Sequence, residues 1–524
     1  MTATNSKTAF RLVRMPRVLA LAAGFAIGCA ADQPGATPAV DDETAPVAAA
    51  GRRPDEPIHG TDFNRFRFPD GRVELSPIDL STTPIEAQLE HDGGFDVHPG
   101  VGKADGTFTV DGVARGRSYW LRVGTNWYLT DERSVDVGVD KLGRPDATGA
   151  AAGTSLVFDV DGLLPVTSGD DFQIEAPNAQ IGFYSVASAL NPITANAPNV
   201  GDTALAGAVF PFDAVAAAGT SQFPLIQASR GDTLTLAQLT TLPLGSLTYQ
   251  SLSRALTTSV EMTQGAATTV SGTMTAPPLS TTRVDFRQGD FEALADGVRS
   301  GAVVIGADVL IDVSVGRQRV NLGTPDLAVV FPPPGNGNQV LPLQYRNPYP
   351  SSWPLFAVGG ATYQVPFTGI ADDGSPTLRQ TSSSTASWEF VERGAATVFP
   401  VISPVRDVTI DGEPVDDEIR DVTATPLLSW KRPRHGSPAA YIVRIAQVNA
   451  QAPFASTAAT RLVVAPDVHR VRIPAGLLQS GGHYFFRVVA VASSEPRQRG
   501  QLDIMFVPPR AQIVDAFSGT IRVE

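Results

Sequence analysis

Beyond Cys29 the chain has no cysteine, so its remaining 495 residues can form no internal disulfide, run no thiol chemistry and ligate no metal through sulfur. Each domain must be held by its own apolar core. Lysine is scarce too, with Lys7, Lys103, Lys141 and Lys431 set against 36 arginines. The formal charge is -13, and an acidic body is repelled by phosphate backbones, which argues against nucleic acid as a partner. No Gly-x-Ser-x-Gly elbow, His-Glu-x-x-His helix or Gly-x-x-x-x-Gly-Lys loop occurs, so the expectation is a protein that is not an enzyme and uses no cofactor. No apolar run approaches the roughly 20 residues of a membrane-spanning helix. Helical periodicity is also sparse. The clearest candidate is residues 290–298, with Phe291, Leu294, Ala295 and Val298 on one face and Gly297 weakening it.

What is present begins with an export layout. Lys7, Arg11, Arg14 and Arg17 precede an eleven-residue apolar run, 18–28, which ends at Cys29; a basic segment followed by an apolar stretch of this length reads as a secretory signal. The run Phe25-Ala26-Ile27-Gly28-Cys29 resembles the bacterial lipoprotein box, which implies that Cys29 is lipidated and becomes the new N-terminus. Removing the four basic residues of the signal takes the formal charge to -17. The diacylglyceryl and N-acyl chains of that family would anchor stably where one chain would not. Ala30 rather than Asp after the cysteine agrees with outer-membrane delivery. The expected organisation starts with a signal peptide at 1–28 and a disordered tether at 29–65, rich in Ala, Pro, Thr, Asp and Glu.

The body reads as all-β, a series of consecutive β-sandwich domains. Length alone suggests three or four of them. Short runs of Val, Thr, Leu and Phe alternate with Gly, Asp, Asn and Pro turns. Val309, Ile311, Val313 and Val315 interleave with Leu310, Asp312 and Ser314, Leu156, Phe158 and Val160 repeat the pattern, and both read as half-buried strands. The expected domains are 66–149, 150–285, 286–402 and 403–524. The Pro-Gly-Asn segment 332–338 is a loop too short to divide domains.

Two stretches resemble known families. Residues 105–123 carry Asp105-Gly106, then Phe108 and Val110, the bend Asp111-Gly112, then Tyr119, Leu121 and Val123. This resembles the hairpin of carboxypeptidase-regulatory-like domains, transthyretin-like sandwiches that usually bind or space. Near the C-terminus, Leu428 and Trp430 precede Tyr441-Ile442-Val443-Arg444-Ile445, and Leu478 stands six residues before Tyr484. This stretch resembles a fibronectin type III domain, in which Trp430 fills the core, Tyr441 packs from the facing sheet and Tyr484 forms the tyrosine corner. The acidic stretch 411–422 departs from that pattern and reads as an inserted loop.

Candidate sites are few. His91, Asp92, Asp96 and His98 are acceptable zinc ligands, but their spacing matches no ligand motif, and a polar loop rich in turn formers is the simpler reading. Asp159, Asp161, Asp170 and Asp171 offer oxygen ligands without the rest of a calcium loop, and solvated turn carboxylates are the simpler reading. No metal site is assigned. Tyr345, Tyr349 and Trp353, interleaved with Pro348, Pro350 and Pro354, form the one possible ligand platform, suited to a glycan or peptide. The combined expectation is a membrane-anchored cell-envelope lipoprotein acting as a structural, adhesive or protein-interaction module. Its partners would be the lipid bilayer, through acylated Cys29, and an envelope or extracellular protein or glycan.

Overall fold

The computed structural model describes residues 56–186, 193–212, 223–316, 325–371, 373–415, 418–448, 460–495, 498–504 and 507–524. Cys29, the signal segment and all but the last part of the expected tether lie outside them. The described chain is almost entirely β-structure, arranged as several packed sheets. The expected helix occurs as two short helical turns, Gln288–Glu292 and Ala295–Val298; Phe291 in the first, Leu294 between them and Val298 in the second are buried as the spacing implied.

One sheet of each sandwich belongs to a single ribbon. From the second sandwich come Ile181–Ser185, Asp171–Ala176, Leu234–Leu244 and Leu247–Thr258, each paired with the next. Tyr249 of the last strand then faces Val330 of Asp326–Val330, and the ribbon continues through the third sandwich as Val303–Val313, Leu355–Ile370 and Pro376–Phe390. Trp388 pairs with Ala511, which opens the fourth sandwich: Ala511–Phe517, His483–Ala492, Ala440–Gln447 and Thr460–Val464. Finally Arg461 pairs in parallel with Asn126, and the first sandwich follows as Asn126–Thr130, Tyr119–Val123, Ile85–His91 and Gly94–Gly102. The spatial order is thus second, third, fourth, first. Backbone pairing at each junction satisfies edge groups that would otherwise recruit another chain.

The second, third and fourth sandwiches each close with a smaller facing sheet: Ala204–Pro211, Ser155–Asp161 and Ala267–Thr273; Gln339–Arg346, Leu279–Phe286 and Ala395–Val398; and Glu413–Pro414, Arg406–Ile410, Leu427–Lys431 and Arg470–Arg472. In the first sandwich Ile58–Thr61 lies between Thr107–Val110 and Ser134–Asp136, and Gly94–Gly102 turns from Ile85–His91 onto Thr107–Val110, joining the two layers.

Several expectations are corrected. Thr107–Val110 and Tyr119–Val123 are not partners in a hairpin; the former pairs with Ile58–Thr61 and Gly94–Gly102, the latter with Ile85–His91 and Asn126–Thr130. The bend at Gly112, with φ of 78°, is an arch between layers, so Phe108 and Val110 share one buried core with Tyr119, Leu121 and Val123. The tether expected to run to 65 ends earlier, because Ile58 is fully buried and Phe63–Arg67 pairs with Val73–Pro77. The boundary expected between 285 and 286 would cut Leu279–Phe286, which is held by Gln339–Arg346 and Ala395–Val398 of the third sandwich. The stretch 411–422 is no plain loop: Asp411 and Gly412, both at positive φ, turn Arg406–Ile410 onto Glu413–Pro414, and Arg420–Val422 pairs with Ile521–Val523.

Both faces of the ribbon are covered around the fourth sandwich, which is why its strands are apolar at nearly every position. Tyr441, Val443 and Ile445 face its own core, while Ala440 and Ile442 share a second core with Val463, Val489, Val491, Leu502 and Ile504. Trp120 of the first sandwich is buried and donates its indole N–H to the Arg472 carbonyl at 3.0 Å. Gln88 exchanges bonds with both backbone groups of Ala475, at 2.9 and 3.2 Å.

Candidate functional site

The aromatic loop does not present an exposed platform. Tyr345 is 1% exposed, with its hydroxyl 3.0 Å from the Thr282 hydroxyl inside the third sandwich. Tyr349 and Trp353 meet each other, stacked at 5.5 Å with ring planes 9° apart. Asn347 sets up the turn by accepting the Tyr349 amide at 2.9 Å. Trp353, 7% exposed, sends its indole N–H to the Pro69 carbonyl of the first sandwich at 3.3 Å, and the Tyr349 hydroxyl bonds Glu175 of the second. Rings with an apolar body and one polar tip suit such a junction. These aromatics tie three sandwiches together, which explains why they stand among prolines and why their faces are not offered to a ligand.

Beneath the loop, alternation along Asp171–Ala176 puts Asp171, Gln173 and Glu175 on one face. Asp171 accepts the Ser185 hydroxyl at 2.5 Å and the Gln173 amide at 3.2 Å. Gln173 also donates to Asp326 of the third sandwich at 2.9 Å. Burial pushes the Asp171 carboxyl up, against its bonds to Ser185 and Gln173, so it is not the solvated turn carboxylate expected; Asp159 and Asp161 are exposed. Glu175 is pushed up to about 8 by burial, opposed by the Tyr349 hydrogen bond.

These carboxyls give stability a definite pH slope. Glu175, Glu389 at about 7 and Asp62 at about 6 are all raised, chiefly by burial. The native state therefore holds protons that the unfolded chain has released. Their favourable contribution is fully present below the ordinary carboxyl range, near pH 4, and is lost as pH rises to about 8. Urea midpoints are expected to fall between pH 5 and 8.5, and Glu175→Gln, which still accepts from Tyr349, should flatten much of that fall. Parallel wild-type and variant profiles would remove Glu175 as a cause.

A second polar feature lies on the far face of the fourth sandwich. Arg461, Arg444 and Arg487 stand directly opposite one another on three neighbouring strands. Asp503 meets Arg461 at 3.0 Å, and Asp515, which accepts the Ser383 hydroxyl at 2.5 Å, pairs with Arg487. The Arg487 guanidinium also lies 5.0 Å from the Phe517 ring centre. Burial, with Arg487 and Arg461 alongside, draws Arg444 down to about 10 despite the attraction of Asp515. Sequence reading passed over this row. The available signal was a single arginine inside each of two apolar strands, Ile442-Val443-Arg444-Ile445 and Phe486-Arg487-Val488.

The remaining candidates are separated. His91 and Asp96 meet at 2.9 Å at an exposed hairpin end, whereas His98 lies across the ladder from Ala87. Among the described residues no group of three or more His, Cys, Asp or Glu is placed to hold a metal ion. No helix among them is long and apolar enough to cross a membrane.

The fourth sandwich has the contacts that its fibronectin resemblance implies. Trp430 is buried edge-on against Tyr441 at 5.3 Å, and the Tyr484 hydroxyl accepts the Gln479 amide at 3.1 Å, one residue past Leu478. No family model matches the chain, and no curated protein matches it. Among solved structures it is similar to the FN1–FN3 domains of chicken CNTN1, with 9% identity, a TM-score of 0.15, and 78% of this chain and 96% of that one covered. It is also similar to a structure titled for the basis of Dscam isoform specificity, with 8% identity, a TM-score of 0.12, and 90% and 100% covered. A third is the N-terminal four Ig domains of Dscam1 isoform 4.44, with 10% identity, a TM-score of 0.14, and 89% and 99% covered.

Proposed function

We propose that this chain is a non-catalytic cell-envelope lipoprotein, anchored through acylated Cys29, whose four sandwiches act together as one stiff structural or protein-interaction body. The observation that carries the reading is the shared ribbon: backbone pairing joins second to third, third to fourth and fourth to first sandwiches. A string of flexibly linked domains would not need those ladders. The loop around Tyr349 and the Gln173–Asp326 bond brace the same junctions with side chains. In this reading the first sandwich is a carboxypeptidase-regulatory-like spacer docked on the fibronectin-like fourth. The anchoring half rests on the basic, apolar and small-residue approach to Cys29.

Cys29→Ala tests the anchor. The processed variant is expected to leave the detergent phase in a phase-separation assay, while the wild type stays in it, since two or more acyl chains hold a protein on membranes and none do so in the variant. A variant shown to lack its signal that still enters the detergent phase would overturn the lipoprotein reading. An unmodified Cys29 in the mass spectrum of the wild type would do the same.

A further inference from the structure

The outward face of the smaller sheet of the fourth sandwich reverses the sign of an acidic chain. Trp430 and Val471 are buried in the core, so alternation turns Ser429, Lys431, Arg470 and Arg472 outward. Arg406 lies directly opposite Lys431, and Arg470, opposite Ser429, lies diagonally across from it. The segment after Lys431 continues the basic surface with Arg432, Arg434 and His435, all exposed like Arg406, Lys431 and Arg470. Two carboxylates stand among them: Asp407 pairs with Lys431 at 2.8 Å, and Asp467 lies beside His469. Arg406 donates its Nε to the Arg432 carbonyl at 3.0 Å, and Arg432 donates its own to His469 Nε2 at 3.0 Å. Arg434 and Arg470 make no ion pair among the described residues. At the other end of the sheet Arg472 is held by Glu90 at 2.9 Å and by the Thr425 carbonyl, and Asp411 and Glu413 follow there. The positive surface is therefore confined to the end that carries residues 431–435.

What this surface fits follows from its shape and from what it lacks. The exposed positions of its three main strands, Arg406, Asp407, Lys431 and Arg470, include no aromatic, methionine or leucine, so it offers none of the apolar anchors in which protein interfaces concentrate their energy. It also offers no ring on which a nucleic-acid base could stack. A sheet face of fixed positive charge matches a plane of phosphates instead, and each Lys or Arg held near an anionic lipid surface favours association by about fivefold. Because the chain as a whole carries -13, its other faces are repelled, and the attraction fixes an orientation. We propose that this face docks on anionic lipid headgroups, with Lys431, Arg432, Arg434 and Arg470 against the phosphates. The proposal takes only the nearness of a membrane from the anchoring reading, and it is tested in the variant that lacks the anchor.

The processed Cys29→Ala protein is mixed at pH 7 and low salt with vesicles of phosphatidylcholine, either alone or containing phosphatidylglycerol, and bound protein is measured by co-sedimentation. Binding is expected only to the vesicles that contain phosphatidylglycerol, and it is expected to vanish in about 1 M salt, where the screening length is about 3 Å. Arg434→Gln with Arg470→Gln should weaken it by about tenfold or more and leave the melting midpoint unchanged, since neither side chain holds an ion pair. Arg283→Gln with Arg393→Gln removes the same charge from exposed positions of the third sandwich, and binding should then stay within about twofold. No binding to either vesicle, or equal losses in the two pairs, would overturn the docking face. Arg434→Lys with Arg470→Lys keeps the charge and is expected to bind like its parent. A loss as large as that of the glutamine pair would point to single oxyanions read by the guanidinium fork and overturn the lipid assignment. Capture of poly-glutamate without vesicle binding would do the same. The anchor is decided by the detergent partition of acylated Cys29, and this face by vesicle binding without it, so the two readings fail separately.

Discussion

Replacing Gly360 by valine is expected to lower stability by about 4 kcal/mol or more, at the severe end of what single substitutions do. A Cβ at this position would stand 1.9 Å from the Thr385 carbonyl oxygen and 2.9 Å from the Ala386 Cα, both backbone atoms that cannot swing aside. Gly360 pairs with Ala386, and Ala386 pairs on its other side with Ile513 of the fourth sandwich. The clash therefore strikes the longest ladder of the third sandwich at the point where it hands over to the next. Its neighbour Gly359 is also confined, with the Phe286 ring 3.0 Å from where a Cβ would sit. Gly306 supplies the contrast, since nothing lies within 4 Å of its Cβ position; Gly306→Ala is expected to stay within about 1 kcal/mol of wild type. Urea midpoints followed by tryptophan fluorescence check both. Equal midpoints for Gly360→Val and wild type would show that the ladder can yield there.

Strand identity was legible in this sequence, and strand partnership was not. Period-2 patterns located the strands around Leu156 and Val309, and the resemblance near the C-terminus located the buried Trp430 and Tyr441 of the fourth sandwich. Yet Val309–Val313 is buried on both faces rather than half-buried, because Leu310 joins a core shared with Phe356, Val358 and residues of the fourth and first sandwiches. Alternation reports whether a face is apolar; it does not report which distant segment covers it. Asn126 pairing with Arg461, and Tyr249 with Val330, leave no local trace. The nearly unbroken apolar run from Tyr484 to Ala492 did carry a hint, since a strand wet on one face seldom needs one.

The sites divide along the same line. Tyr345, Tyr349 and Trp353 were chosen for residue type and neighbouring prolines, which mark a turn but cannot say whether the ring faces point outward. Their polar tips were decided by Glu175, Thr282 and Pro69, residues remote in sequence. The arginine row shows the converse: each member looks like an ordinary surface arginine until register sets the three side by side. Asp171 reads in sequence as a turn carboxylate beside Asp170, and only the layering of the second sandwich against the third buries it.

Trp430→Ala is expected to cost about 3 to 5 kcal/mol, the usual penalty for emptying a buried aromatic site. The indole is 4% exposed, packs edge-on against Tyr441 at 5.3 Å, and Tyr441 in turn meets His469 at 5.7 Å. Those contacts join Leu427–Lys431 to Ala440–Gln447 across the two layers of the fourth sandwich. The position of that sandwich widens the consequence, because its ribbon sheet is paired to the third sandwich at one edge and to the first at the other. Against a typical domain stability of about 5 to 15 kcal/mol, the loss is large enough to release both junctions together. The measurement belongs in the full chain, since an isolated fourth sandwich would expose Ile442, Val463 and Val489 to water. Hydrogen exchange is expected to show amides of Ala440–Gln447 and Thr460–Val464 losing protection in Trp430→Ala, and those of Asn126–Thr130 losing it with them. Loss confined to the fourth sandwich would mean that the ladder between Arg461 and Asn126 adds little coupling. An unchanged urea midpoint would remove Trp430 from the core, and with it the fibronectin-like reading of that domain.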